Sequence, residues 1–139
     1  MTSPSVGVLD THTVILAERL DPAQLPVEAV ITAVTLAELS LAPLATDDPQ
    51  ERAIRQLRLQ DAEANFDPLP FDASAARAYG QVADALRRSG RKPAARAFDA
   101  LIAAIAIANG LPLFTCNAAD FTAIPGLTLM PLDHPDVTR

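Results

Sequence analysis

The chain has 139 residues, enough for one domain with a sizeable core and too few for two. Half of it is hydrophobic and 20% is charged, a globular balance rather than a disordered one, and with aromatics at 4% the interior must be built from Ala, Leu, Ile and Val. The formal net charge of −6 argues against a broad basic surface for nucleic acid, but not against a nuclease site whose metal ions carry positive charge locally.

Residues 6–9 form a short apolar run closing on Asp10 and read as a buried strand. Residues 11–20 read as a helix, broken by Asp21-Pro22 and Pro26. A second strand is expected over 29–32 and a helix over 35–44, stopped near Pro43. An amphipathic helix follows over 47–65, with Pro49 in its first turn. Residues 69–71 suggest a short strand, and 73–89 a helix capped by Asp72 and ended by Gly90. After the basic loop 91–95 comes FDALIAAIAIANG, apolar on every side except Asp99 and terminated by Gly110. A third strand is expected over 111–115, brief turns over 118–121 and at Pro125-Gly126, a final strand over 127–132, and a frayed tail over 133–139.

Short apolar strands alternating with helices predict a single α/β domain with a buried parallel sheet. Ligands of such sheets bind beyond the carboxyl ends of the strands, where Asp10 and Asn117 fall. The one cysteine, Cys116, allows no internal disulfide and suits a reducing compartment. No signal-peptide pattern opens the sequence, and its longest apolar run, 100–108, is too short to span a bilayer. The expectation is a soluble cytoplasmic protein with no membrane partner.

Four acids stand out, each with an ordinary explanation. Asp10 at a strand end is, taken singly, most simply a helix cap. Glu38 has capping-box spacing from Thr35, yet it is the only charge between Glu28 and Asp47. Asp99 would complement the dipole of its helix, but Ile102, Ala103 and Ala106 share its face, and an ionised carboxylate there needs company. Asn117 and Asp120, in TCNAADF, suit either a capped turn or a metal site. Together they change the balance. Acids arriving from separated segments without regularly spaced basic residues repel one another, and a bound divalent cation is the common remedy. An all-oxygen set points to Mg²⁺ or Mn²⁺ rather than zinc, and His12 and His134 lack zinc-type spacing, so a structural role for His12 is the simpler reading.

The segments VLDTHTVI (8–15), AVTLAEL (33–39), FDALIAAIAIANGLPLFTCNAADF (98–121) and IPGLTLMPL, in this order, resemble the PIN-domain ribonucleases, specifically the VapC toxins of bacterial toxin–antitoxin pairs. The resemblance implies a three-layer α/β/α sandwich around a mostly parallel sheet. It makes Asp10, Glu38 and Asp99 the invariant acids, with Asp10 and Asp99 as metal ligands. Asp120 then matches a fourth, more variable acid, with Thr11, Thr115 and Asn117 as polar neighbours. The implied activity is Mg²⁺-dependent endonucleolytic cleavage of RNA, with Mn²⁺ as an alternative ion. The implied partners are a small VapB-type antitoxin and a second copy of the chain in a homodimer, for which Val14, Ile15, Leu16, Leu39 and Leu41 offer an apolar face. His12 departs from the Asn usual after Asp-Thr, and Cys116 from a frequent basic residue.

Arg87, Arg88, Arg91, Lys92 and Arg96 crowd a ten-residue stretch before Asp99 and are candidate grips on RNA phosphates, equally readable as a helix end and a solvated loop. A phospho-acceptor receiver domain would need a lysine after a late strand, and the only one, Lys92, precedes the apolar helix. A catalytically silent PIN domain that binds RNA or protein is the remaining alternative.

Overall fold

The computed structural model describes residues 5–90 and 97–136. Four parallel strands, β1 (Val6–Leu9), β2 (Glu28–Val30), β3 (Leu113–Thr115) and β4 (Leu129–Pro131), form one sheet in the order β2-β1-β3-β4. Five α-helices accompany them: α1 (Thr11–Leu16), α2 (Ala33–Leu41), α3 (Pro49–Asn65), α4 (Ala73–Arg88) and α5 (Ala97–Ala108). The sheet is parallel because each strand returns by a crossover, and such a sheet is stable only with both faces covered.

The alternation of side chains along β1 and β3 divides the core accordingly. Val8 and Leu113 join Ala75, Val82 and Leu86 of α4 and the buried run of α5. Leu9 and Phe114 point the other way, onto Leu16 of α1, Leu20 and Leu132. Burying Ile102 and Ile105 of α5 completely is worth about 2 kcal/mol each by area. Gly7 is required by this packing. A methyl group in its place would overlap the ring of Phe114 and lie 3.2 Å from Cβ of Pro26.

Most expected elements are present, and the differences have local causes. Helix α1 stops at Leu16 and tightens into a 3-10 turn over Ala17–Arg19. Helix α2 begins at Ala33, two residues earlier than expected, because the Oγ1 of Thr32 accepts the Thr35 amide at 3.1 Å and caps it. The expected strand over 69–71 reduces to one bridge between Leu69 and Thr32. Pro68 and Pro70 carry no N–H on either side of Leu69, which bonds the Ile31 carbonyl at 2.9 Å. Helix α5 ends as expected, with Gly110 at φ 64°.

Residues 133–136, expected to fray, are instead attached to the region after β1. The Nε2 of Gln24 donates to Asp133 at 3.0 Å, its Oε1 accepts the Asp133 amide at 3.2 Å, and Arg19 pairs with Asp136. Of the proposed phosphate grips, Arg87 and Arg88 both pair with Asp84 on their own helix, at 2.7 and 2.9 Å. That is the helix-end reading. The opposed reading rested also on Arg91, Lys92 and Arg96, which lie outside the described residues, as does the tail 137–139. Leu16 and Leu39, offered for a dimer face, are core, whereas Ile15 and Leu41 are exposed.

Candidate active site

The chain leaves β1 for β2 on one side of the sheet and returns to β3 on the other, so the strand order reverses between β1 and β3. A crevice forms beyond the carboxyl ends of strands at such a switch point. The register pairs Leu9 with Phe114, which sets the next residues, Asp10 and Thr115, side by side at its mouth.

Asp10 is 3% exposed, and both of its oxygens are held. Oδ1 accepts the Thr13 hydroxyl and, at 3.3 Å, the Thr13 amide, so Asp10 does cap α1 as its ordinary explanation required. Capping is only half of its role. Oδ2 accepts the Thr115 hydroxyl at 2.9 Å across the sheet. Each hydroxyl is itself oriented by a backbone amide: Cys116 N–H donates to Thr13 Oγ1 at 3.2 Å, and Asn117 N–H to Thr115 Oγ1 at 2.9 Å. With their lone pairs so engaged, both hydroxyls aim their protons at the carboxylate.

Burial pushes the Asp10 carboxyl above its ordinary value; the threonine bonds and the nearby His12 only partly offset this. Burial also raises the Cys116 thiol, and the charge of Asp10 adds to the effect. That thiol is therefore a poor nucleophile.

Glu38 approaches from α2. Thr11, the residue after Asp10, places its Oγ1 2.6 Å from Glu38 Oε1 and 3.0 Å from Thr35 Oγ1. A hydroxyl has one proton, and the shorter contact to an ionised acceptor takes it, so the Thr35 hydroxyl serves as donor in the second contact. Since Thr32 caps α2, Glu38 lies two turns inside the helix, and the capping-box explanation of it fails. Neither Asp10 nor Glu38 forms an ion pair among the described residues.

Asp99 is half-buried in the first turn of α5, and Asp120 half-buried in the 3-10 turn Ala118–Phe121. The Asn117 side chain does not cap that turn. Among the described residues no three His, Cys, Asp or Glu side chains stand close enough to hold a metal ion as a group. Close convergence of Asp10, Glu38 and Asp99 is thus not part of this arrangement. The donors still suit a hard cation that keeps much of its water and needs only one or two carboxylates directly. Asp10 offers the chemistry for it: a desolvated carboxylate with hydroxyl partners and no ion pair among the described residues. Arg91 and Arg96 lie outside the described residues.

Sequence reading missed Thr13, Thr32 and Thr35, all fully buried. The signal was present in Asp-x-x-Thr and Thr-x-x-Thr, both of which have the spacing of a helix cap to its third residue.

A parallel sheet between helices, with an acid seated at its switch point, is the architecture of PIN domains, and the PIN domain family model matches residues 8–127. The chain belongs to the PIN-domain family. Its kinship runs to the VapC ribonucleases within it: over 128 residues it is 39% identical to ribonuclease VapC5 of Mycobacterium tuberculosis (strain ATCC 25618 / H37Rv), spanning 90% of this chain and 92% of that one. It is similar to the structure of VapBC-5, a member of the VapBC family of toxin–antitoxin systems from Mycobacterium tuberculosis, at 35% identity and a TM-score of 0.80, covering 93% of this chain and 100% of that one. VapBC2 from Rickettsia felis, bound to a DNA fragment from its promoter, follows at 25% identity and a TM-score of 0.76, covering 92% and 99%.

Proposed function

We propose that the chain is the toxin of a type II toxin–antitoxin pair, an endoribonuclease that hydrolyses RNA phosphodiester bonds with a divalent cation. The observation that carries this is Asp10: buried at the switch point, fixed through both oxygens, and without a basic partner among the described residues. Asp10 and Asp99 would hold the ion, Mg²⁺ or Mn²⁺ by donor type. When bound, it supplies positive charge against the phosphate oxygens and makes water more acidic.

The chain's own residues do the rest. Thr13 and Thr115 keep the Asp10 oxygens in one orientation. Thr11 holds Oε1 of Glu38, leaving Oε2 to take a proton from the attacking water. Attack on phosphorus breaks the bond to the 3′ oxygen, giving a 5′-phosphate and a 3′-hydroxyl. Asp120 and Asn117 would add polar contacts on the far side of the site, and Arg91 and Arg96 would meet flanking phosphates.

The likeness to VapBC assemblies supports a VapB-type antitoxin as partner. So does an apolar groove of about 720 Å³ between α1 and α3, lined by Val14, Ile15, Ile54, Leu57 and Phe66. Exposed Leu41 and Leu44 support a homodimer, which light scattering of the purified chain would show. Among the described residues no helix is long and apolar enough to cross a membrane; a cytoplasmic site of action is part of the proposal.

The test is cleavage of a labelled RNA by the purified chain. Cutting in Mg²⁺ that stops with EDTA and is absent in Asp10→Asn supports the reading. Cutting that survives both refutes it, and a chain that never cuts is the silent binding module.

A further inference from the structure

His12 departs from its family's usual residue, and the site as described gives it no role. It is exposed beside Asp10, close enough to help hold the Asp10 carboxyl down. Its ring stacks on that of His134, with centroids 5.6 Å apart and 30° between the planes. His134 is not on a loose end. The Asp136 amide donates to its Nδ1 at 3.1 Å, Asp136 pairs with Arg19, Asp133 exchanges two hydrogen bonds with Gln24, and Leu132 is buried against Phe114. Five contacts thus hold one flat ring against another beside Asp10.

A planar, exposed ring at the edge of a phosphodiester-cleaving site is what a nucleobase needs for stacking, because every base has a π-face. The exposed His12 ring is backed by a second ring, which fixes its plane before the RNA arrives and reduces the ordering cost of binding. An aliphatic side chain would give neither the plane nor the rigidity.

We propose that the His12–His134 pair is a stacking platform for a base next to the scissile phosphate of the RNA substrate, making His12 a specificity-determining residue. This rests on the RNA-cleavage reading. Stacking on a neutral imidazole suffices, so protonation plays no part.

The first experiment does not depend on cleavage. An oligouridylate with a single 2-aminopurine is mixed with the intact chain in EDTA, and fluorescence reports stacking. Quenching with the wild-type chain, lost in His12→Ala and kept in His12→Phe, supports the platform. Equal quenching by His12→Ala, or none by the wild type, overturns it. In steady-state cleavage, His12→Ala raises KM about tenfold, the size of one base stack, with kcat within about twofold, and His12→Phe restores KM. His134→Ala gives a smaller change in the same direction, with unchanged melting confirming that each variant folds. A fall in kcat alone, or no rescue by Phe, contradicts the platform while leaving the nuclease assignment standing. Failure of the wild type to cut removes that assignment, and the quenching result still decides the stacking surface.

Discussion

Neutralising Asp10 should stabilise the metal-free protein. An Asp10→Asn side chain has the same shape in a site that is 3% exposed, so no cavity opens. It removes a charge whose burial raises the carboxyl pKa above the ordinary 3.8, so the folded chain is relieved of ionising a buried group. Against it stands one bond. The amide can accept from Thr13 through Oδ1, but its NH₂ faces Thr115 Oγ1 and the Thr115 hydroxyl proton loses its acceptor, at a cost of about 1 kcal/mol. Each net gain of about 1 kcal/mol would read as about 3 °C in melting temperature for a chain of this length. The pH dependence has a definite sign. Below pH 3.8 the carboxyl is neutral in both folded and unfolded chains and costs nothing. As pH rises from there through the higher folded value, the native state must ionise a buried group, and stability falls until that titration is complete. Melting in EDTA by circular dichroism should therefore show Asp10→Asn above wild type at pH 8, with the gap closing toward pH 4. A variant that melts at or below wild type at pH 8 would refute the reasoning.

Gly7→Ala forces a methyl onto the fully buried Phe114 ring and should cost about 2 kcal/mol, read as a lower urea midpoint with unchanged slope. Thr11→Val frees Glu38 from its 2.6 Å bond and should lower kcat about tenfold while shifting the melting temperature little, because Thr11 is only half-buried; unchanged kcat would show that Glu38 needs no such positioning. Replacing Arg91, Lys92 and Arg96 together by Ala should weaken RNA binding and flatten its dependence on salt, and an unchanged slope would remove them from the RNA surface.

The sheet was legible because buried parallel strands announce themselves as uniform apolar runs, and 6–9 and 111–115 are such runs. The helix-bounding residues Asp72 and Gly110 were legible for a similar reason: each satisfies groups that a helix end leaves unpaired. Asp10 and Glu38 were recognisable as charges in apolar settings. What held them was not, because their partners are threonines that a sequence offers everywhere as caps and turn formers. Thr115 is 105 residues from Asp10, and only the β1–β3 register joins them. Thr32 was taken for the end of a strand when it caps α2, and this single displacement removes the capping-box explanation of Glu38. The contacts of residues 133–136 could not be read from the sequence because the groups they meet, Arg19, Gln24 and His12, are more than a hundred residues away.

The most direct test of the site is Mn²⁺ binding followed by isothermal titration, with the ion alone and no RNA. Wild type should bind it with an affinity that falls at least about tenfold in Asp10→Asn, and by a lesser amount when Thr115→Val leaves Oδ2 without its partner. Equal affinity in wild type and Asp10→Asn would mean that the carboxylate at the switch point holds no cation, and the nuclease account built on it would be wrong.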